Sequence, residues 1–175
     1  MTKYLVTGGA GFIGSHIVDA LVARGDQVVV LDDLSSGNLE NLQQSASAIE
    51  FQQGSILDSE LLSELLTDVD IVFHQAAMVS VPRSLAEPTL THQINATGTL
   101  TVLAAARKSS VRRLIYAGSS SCYGNTNEKV QSELRVPAPI SPYGAAKLAG
   151  EQYCHSFYRS FGLETVTLRY FNVFG

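Results

Sequence analysis

The 175-residue sequence has no tryptophan, two cysteines and two methionines, and only 16% of its residues are charged. Each shortage removes a class of protein. Cys122 and Cys154 alone cannot build a disulfide framework, which points to a reduced, cytoplasmic protein. No apolar run approaches the roughly 18 residues of a membrane-spanning helix, so no membrane partner is expected. Basic residues are few, 12 against 16 acidic for a net charge of −4, and leave no electrostatic footprint for nucleic acid. The start, Met1-Thr2-Lys3, runs straight into a short apolar stretch and then glycines, which is not the layout of a signal peptide. The histidines at 16, 74, 92 and 155 are scattered without ligand spacing, so no metal site is expected. What remains is 45% hydrophobic, too apolar for disorder and long enough for one compact domain spanning residues 1–175.

Short β-branched runs alternate with longer helical patterns along the whole chain. Strands are predicted at Lys3–Thr7, Gln27–Leu31, Ile49–Gln53, Asp70–Phe73, Arg113–Ala117 and Thr165–Arg169. Several are nearly continuous Val, Ile and Leu, as strands covered on both faces must be. Helices are predicted at Phe12–Arg24, Ser59–Leu66, Pro88–Lys108 and Pro142–Phe161, with Asp58 or Ser59 capping the second. This alternation predicts an α/β fold: a doubly wound parallel sheet of six or more strands, helices on both faces, in the order 3-2-1-4-5-6. The polar, proline-punctuated segment Asn125–Ser141 reads as a long functional surface loop.

The first strand ends in Thr7-Gly8-Gly9-Ala10-Gly11-Phe12-Ile13-Gly14, and a helix follows at once. Glycines there permit a tight turn and a close approach of backbone to a pyrophosphate, which the helix N-terminus then binds. Asp32 closes the second strand, where a carboxylate accepts hydrogen bonds from ribose hydroxyls and repels a 2′-phosphate. No Arg or Lys lies between Gly25 and Val81. The expected cofactor is therefore NAD, not NADP.

A second constellation carries the chemistry. Tyr143 and Lys147 stand four apart on one helix, so a cation can pull the phenol below its usual value of about 10 and make it a general base. Upstream, Gly118-Ser119-Ser120-Ser121-Cys122-Tyr123-Gly124 follows the fifth strand, at the carboxyl end of the sheet where ligands bind in this architecture. A serine hydroxyl there can share a hydrogen bond with a substrate oxygen that loses its proton. Cys122 has no partnering histidine and reads as a small buried filler.

The segments TGGAGFIG, SSSCYG, YGAAK and RYFNVFG, in that order, resemble the extended short-chain dehydrogenase/reductase family, and within it the nucleotide-sugar epimerases. The resemblance implies Tyr143 as base, Lys147 as its activator and nicotinamide-ribose contact, and Ser119 as hydroxyl partner. It implies that Gly8, Gly11, Phe12, Ile13, Gly14, Asp32, Ser55, Ile56, Gln75, Ala76, Ala77, Asn95 and Tyr170 contact the cofactor. Ser80, Arg83, Ser120, Ser121 and Asn172, with Ser119 and Tyr143, would contact a UDP-sugar; Arg83 reads equally as a solvated loop charge. The implied activity is NAD-dependent 4-epimerisation of a UDP-hexose (glucose/galactose or the N-acetyl forms) by transient oxidation at C4, in a homodimer paired through the two long helices. A reductase or decarboxylase of the family, or a catalytically silent NAD(H) sensor, are the alternatives.

Three features refine the expectation. Family dehydratases carry Asp-Glu after the catalytic Ser/Thr, whereas Ser120-Ser121 supplies no acid–base pair for losing water. The run His74-Gln75-Ala76-Ala77 with Ser80-Val81-Pro82-Arg83-Ser84 is similar to UDP-N-acetylhexosamine and UDP-galactose 4-epimerases alike. Where the family usually has Gly-Asp-Ile after the third strand, this chain has Gly54-Ser55-Ile56, and an uncharged acceptor weakens the expected hold on adenine. The family continues into a C-terminal substrate domain, so an intact NAD half with an incomplete substrate half is expected at Gly175.

Overall fold

A computed structural model describes residues 1–125 and 130–174. Six strands form one parallel sheet: β1 (Lys3–Thr7), β2 (Gln27–Asp32), β3 (Ile49–Gln53), β4 (Ile71–His74), β5 (Arg113–Ser119) and β6 (Glu164–Tyr170), in the order β3-β2-β1-β4-β5-β6. This is the predicted topology. Burial explains it locally: Leu5, Val6, Val30, Leu31, Val72 and Leu114 are sealed from solvent, so the central strands must be covered on both faces.

Two layers do the covering. On one face α1 (Phe12–Ala23) lays Val18 and Leu21 against Tyr4, Val6, Val28 and Val30, joined by Leu42 from the turns between β2 and β3. On the other face α2 (Ser59–Leu65), α5 (Gly98–Lys108) and α6 (Pro142–Phe161) bring Leu62, Leu103 and Phe157 onto Leu5, Leu31, Val72 and Leu114. Coverage on the α1 side stops before β6, where Val166 and Leu168 stay 40% and 41% exposed. The helices begin where side chains can satisfy their first amides. Asp58 accepts from the amides of Glu60 and Leu61, and Ser141 accepts from Gly144 with Pro142 in the first turn. Gly162, in the left-handed conformation, ends α6 and returns the chain to β6.

Two differences from the sequence reading are local. The helix predicted over Pro88–Lys108 is three pieces: α4 (Pro88–His92), a π-helical turn at Gln93–Thr97, and α5. A short helix α3 (Val81–Ala86) precedes it, capped by Ser80, whose hydroxyl accepts from the Arg83 amide. Strand ends move by one or two residues. The predicted loop Asn125–Ser141 is irregular where it is described, and residues 126–129 lie outside the described residues.

Candidate active site

β1 and β4 are neighbours, but the chain leaves β1 for the α1 face and β4 for the opposite face, so a crevice opens at their carboxyl ends. It is a cavity of about 1110 Å³. Its first end is backbone. Gly8 has a φ of +70°, and a Cβ there would come within 2.5 Å of the Ala76 amide nitrogen. A Cβ on Gly14 would run into the Gly8 carbonyl. Only glycine lets the β1–α1 turn, the start of α1 and the Gln75-Ala76 stretch meet this closely. Gly11 caps α1 without any side-chain hydrogen bond, so the first helical amides keep their donors for an anion. Asp32 is buried at the rim and held in place: its two oxygens accept from the amides of Ala10 and Leu34, each at 2.9 Å.

The second end is side-chain chemistry. Ser119 ends β5, and its hydroxyl lies 2.7 Å from that of Ser121. The cap at Ser141 puts Tyr143 in the first turn of α6 and Lys147 one turn later, both buried. Burial pushes the Tyr143 phenol above its usual value, while hydrogen bonding to Ser119 pulls the other way. Lys147 is buried as well and its ammonium is pulled down to about 8, chiefly by desolvation. The net direction for Tyr143 is therefore upward, not the expected fall: burial outweighs what lowers it, and the Lys147 ammonium lies over the ring of Tyr116, 4.7 Å from its centroid. Both cysteines are buried thiols pushed upward by desolvation, Cys154 to about 12, which disfavours the thiolate form.

The structure gathers almost every expected residue into this one cavity. Gly8, Gly11, Phe12, Ile13, Gly14, Asp32, Ser55, Ile56, Gln75, Ala76, Ala77 and Tyr170 line it, as do Ser80, Arg83, Ser119, Ser120, Ser121, Tyr143, Lys147 and Asn172. Asn95 is the correction. It does not line the cavity; its amide clasps the backbone of Met78, accepting from its N–H at 2.8 Å and donating to its carbonyl at 3.1 Å. Asn95 therefore shapes the wall from behind. Arg83 pairs with Glu87 at 2.5 Å on an exposed surface, a contact worth well under about 1 kcal/mol. The sequence reading missed Asp33, Ser35 and Ser36 after β2, and Leu90 and Ile94 around the π-helical turn. For the first three a signal existed: they follow Asp32, the acid expected to meet the ribose, in the turn that flanks it.

The sequence matches the NAD dependent epimerase/dehydratase family over residues 4–175. The chain belongs to this family. Among curated members it is 40% identical over 173 residues to a putative UDP-glucose 4-epimerase of Methanocaldococcus jannaschii, covering 98% of this chain and 56% of that one. Among solved structures it is 42% identical to a UDP-N-acetylglucosamine 4-epimerase from Methanobrevibacter ruminantium in complex with UDP-N-acetylmuramic acid, with a TM-score of 0.94 over 99% of this chain and 56% of that one. It is 35% identical to DesIV, a dTDP-glucose 4,6-dehydratase from Streptomyces venezuelae with NAD and TYD bound, with a TM-score of 0.93 over 96% of this chain and 55% of that one. The chain thus spans about half the length of the relatives it matches.

The residues present fit the cofactor that gives this family its name. The glycine turn leaves backbone where a Cβ would intrude, and the α1 amides are uncapped. The Gln75 amide is buried with neither polar atom at hydrogen-bonding geometry to another group, though it lies near enough to Tyr170 to favour that residue's phenolate. A buried amide of this kind needs a partner, and this one lines the cavity. Ser55 lines the cavity, but its hydroxyl accepts from the Leu57 amide at 3.2 Å.

Proposed function

We propose that this chain is the cofactor-binding and catalytic half of an NAD-dependent UDP-hexose 4-epimerase. The carrying observation is that Ser119, Tyr143 and Lys147 share one cavity with the glycine cradle and Asp32. In this reading Asp32 takes the ribose hydroxyls, and the α1 amides take the pyrophosphate. Bound there, NAD supplies a reversible two-electron acceptor and, when oxidised, a positive charge. Tyr143 removes the proton from the sugar's C4 hydroxyl and later returns it, with Ser119 sharing the hydrogen bond. The phenol, raised by burial, needs cationic company to ionise near neutrality, and Lys147 is the chain's own contribution. Ser80, Ser120, Ser121 and Asn172 lie where the sugar and its phosphates would sit, and Arg83 would have to leave Glu87 to join them.

The dehydratase neighbour has the same fold, so architecture does not separate elimination from epimerisation. Residue chemistry does: Ser120 and Ser121 offer no carboxyl group to expel and activate water. The reading extends to a cytoplasmic homodimer, supported by two free buried thiols and by the exposed Tyr153, Tyr158 and Phe161 on α6.

The test is a chimera that joins residues 1–175 to the remaining portion of a 42% identical epimerase relative. It is given UDP-glucose and UDP-N-acetylglucosamine in separate tubes and followed by proton NMR. Galacto-configured anomeric signals without net NADH are expected. Steady NADH production, or an unchanged sugar in a folded, NAD-bound chimera, would overturn the reading.

A further inference from the structure

Beneath the catalytic serine lies a buried stack that the mechanism above does not use. Tyr116, on β5 three residues before Ser119, is completely sealed from solvent. Its hydroxyl donates to the Lys147 carbonyl at 3.3 Å, while the Lys147 ammonium lies 4.7 Å from its ring centroid. Gly150 makes room for this: a Cβ there would collide with the Tyr116 hydroxyl. The His74 ring packs against Tyr116 with centroids 5.6 Å apart and planes tilted by 31°.

His74 is fixed in turn. Thr99 spends its one proton on the Asn95 carbonyl at 2.7 Å, so it must accept from His74 Nε2 at 3.0 Å. His74 Nδ1 is then the acceptor for the Thr7 hydroxyl at 2.7 Å. Burial pulls the imidazole down to about 3, so it is neutral throughout the working range. The groups that act on Lys147 are Tyr116 from β5, His74 from β4, Cys122 from the turn after β5 and Cys154 on α6, with Glu151 acting on the two thiols. Both thiols are raised and therefore neutral, and Glu151 is committed to Arg169 at 2.6 Å and 2.9 Å. No ion pair to Lys147 occurs among the described residues. Tyr116 is the group whose electron-rich ring face lies over the ammonium, its centroid 4.7 Å from Nζ.

We propose that Tyr116 is the positioning residue for Lys147, its ring face carrying the buried ammonium while its hydroxyl holds the lysine's own main chain. The pair makes one rigid unit of β5 and α6, the elements that carry Ser119 and Tyr143. Neutral His74, tied to Thr7 and Thr99, braces the ring without adding a competing cation. The proposal rests on the reading of Lys147 as the partner of Tyr143.

The test reads Lys147 directly. The 175-residue chain has four lysines, so Lys147 can be followed by 13Cε NMR through a pH titration and assigned by its loss in Lys147→Arg. Position 116 is replaced by phenylalanine and then by di- and trifluorinated phenylalanine, rings of nearly constant shape and falling electron density. The wild-type lysine is expected to be charged below, and neutral above, a midpoint near 8. Tyr116→Phe keeps that midpoint, and fluorination lowers it stepwise by about 1 pH unit in total. A midpoint that is flat across the fluorinated series would overturn the proposal. If the reading of Lys147 as the partner of Tyr143 fails instead, Lys147→Gln leaves turnover of the chimera intact while the fluorinated series still slopes.

Discussion

Gly14→Ala is expected to weaken NAD binding by more than about 100-fold, a loss of roughly 3 kcal/mol, and to destabilise the chain. Helix propensity alone predicts the opposite sign, because alanine is better than glycine inside a helix by about 1 kcal/mol. Gly14 sits within α1 and its φ is not in the positive region, so the backbone gains nothing from glycine there. Sterics decide the outcome. The added methyl would meet the Gly8 carbonyl and the Gly9 Cα, both backbone, and neither can swing aside like a side chain. Either α1 lifts from the turn or the turn opens, and both spoil the cradle. Overpacking of this kind costs about 1–3 kcal/mol. Gly25→Asn is the control: Gly25, unlike Gly14, turns with a positive φ, at +81°, and nothing lies within 4 Å of its would-be Cβ. Asparagine tolerates that conformation, so NAD affinity should stay at the wild-type value. Calorimetric titration and thermal denaturation of both variants check the pair.

Tyr143→Phe is expected to lower kcat of the chimera by about 10²–10⁴-fold, the usual worth of a positioned general base. NAD affinity should remain within a few-fold, and thermal stability should hold. The phenol is buried against the serine turn, and removing its oxygen removes a group that burial already disfavours in its charged form. A parallel fall in NAD affinity would make Tyr143 a cofactor anchor first. Undiminished turnover would assign the proton transfer elsewhere in the cavity.

The sheet order and the glycine cradle were legible in the sequence because both follow from short-range chemistry. Apolar runs such as Val28–Leu31 need cover on both faces, and a Gly-rich turn between strand and helix has few uses. Features set by packing were not legible. The raised Tyr143 comes from burial, and the Lys147 ammonium lies over Tyr116 because β5 runs beneath α6; a four-residue spacing reveals neither. Asn95 illustrates a related limit: motif resemblance places a residue near a cofactor, but only the fold shows that its amide is spent on Met78. The short helix α3 was hidden by Pro82, which reads as a loop signal, although Ser80 ahead of it is the cap that permits proline in the first turn. The π-helical turn at Gln93–Thr97 leaves no periodic trace in so short a span.

The central claim is that this chain carries a complete site for NAD, with Asp32 selecting against a 2′-phosphate. Isothermal titration of residues 1–175 with NAD and, separately, NADP tests it most directly. One NAD site per chain is expected, with NADP weaker by at least about tenfold, and Asp32→Ala should narrow that gap. Failure of the folded chain to bind NAD, or tighter binding of NADP, would contradict the account.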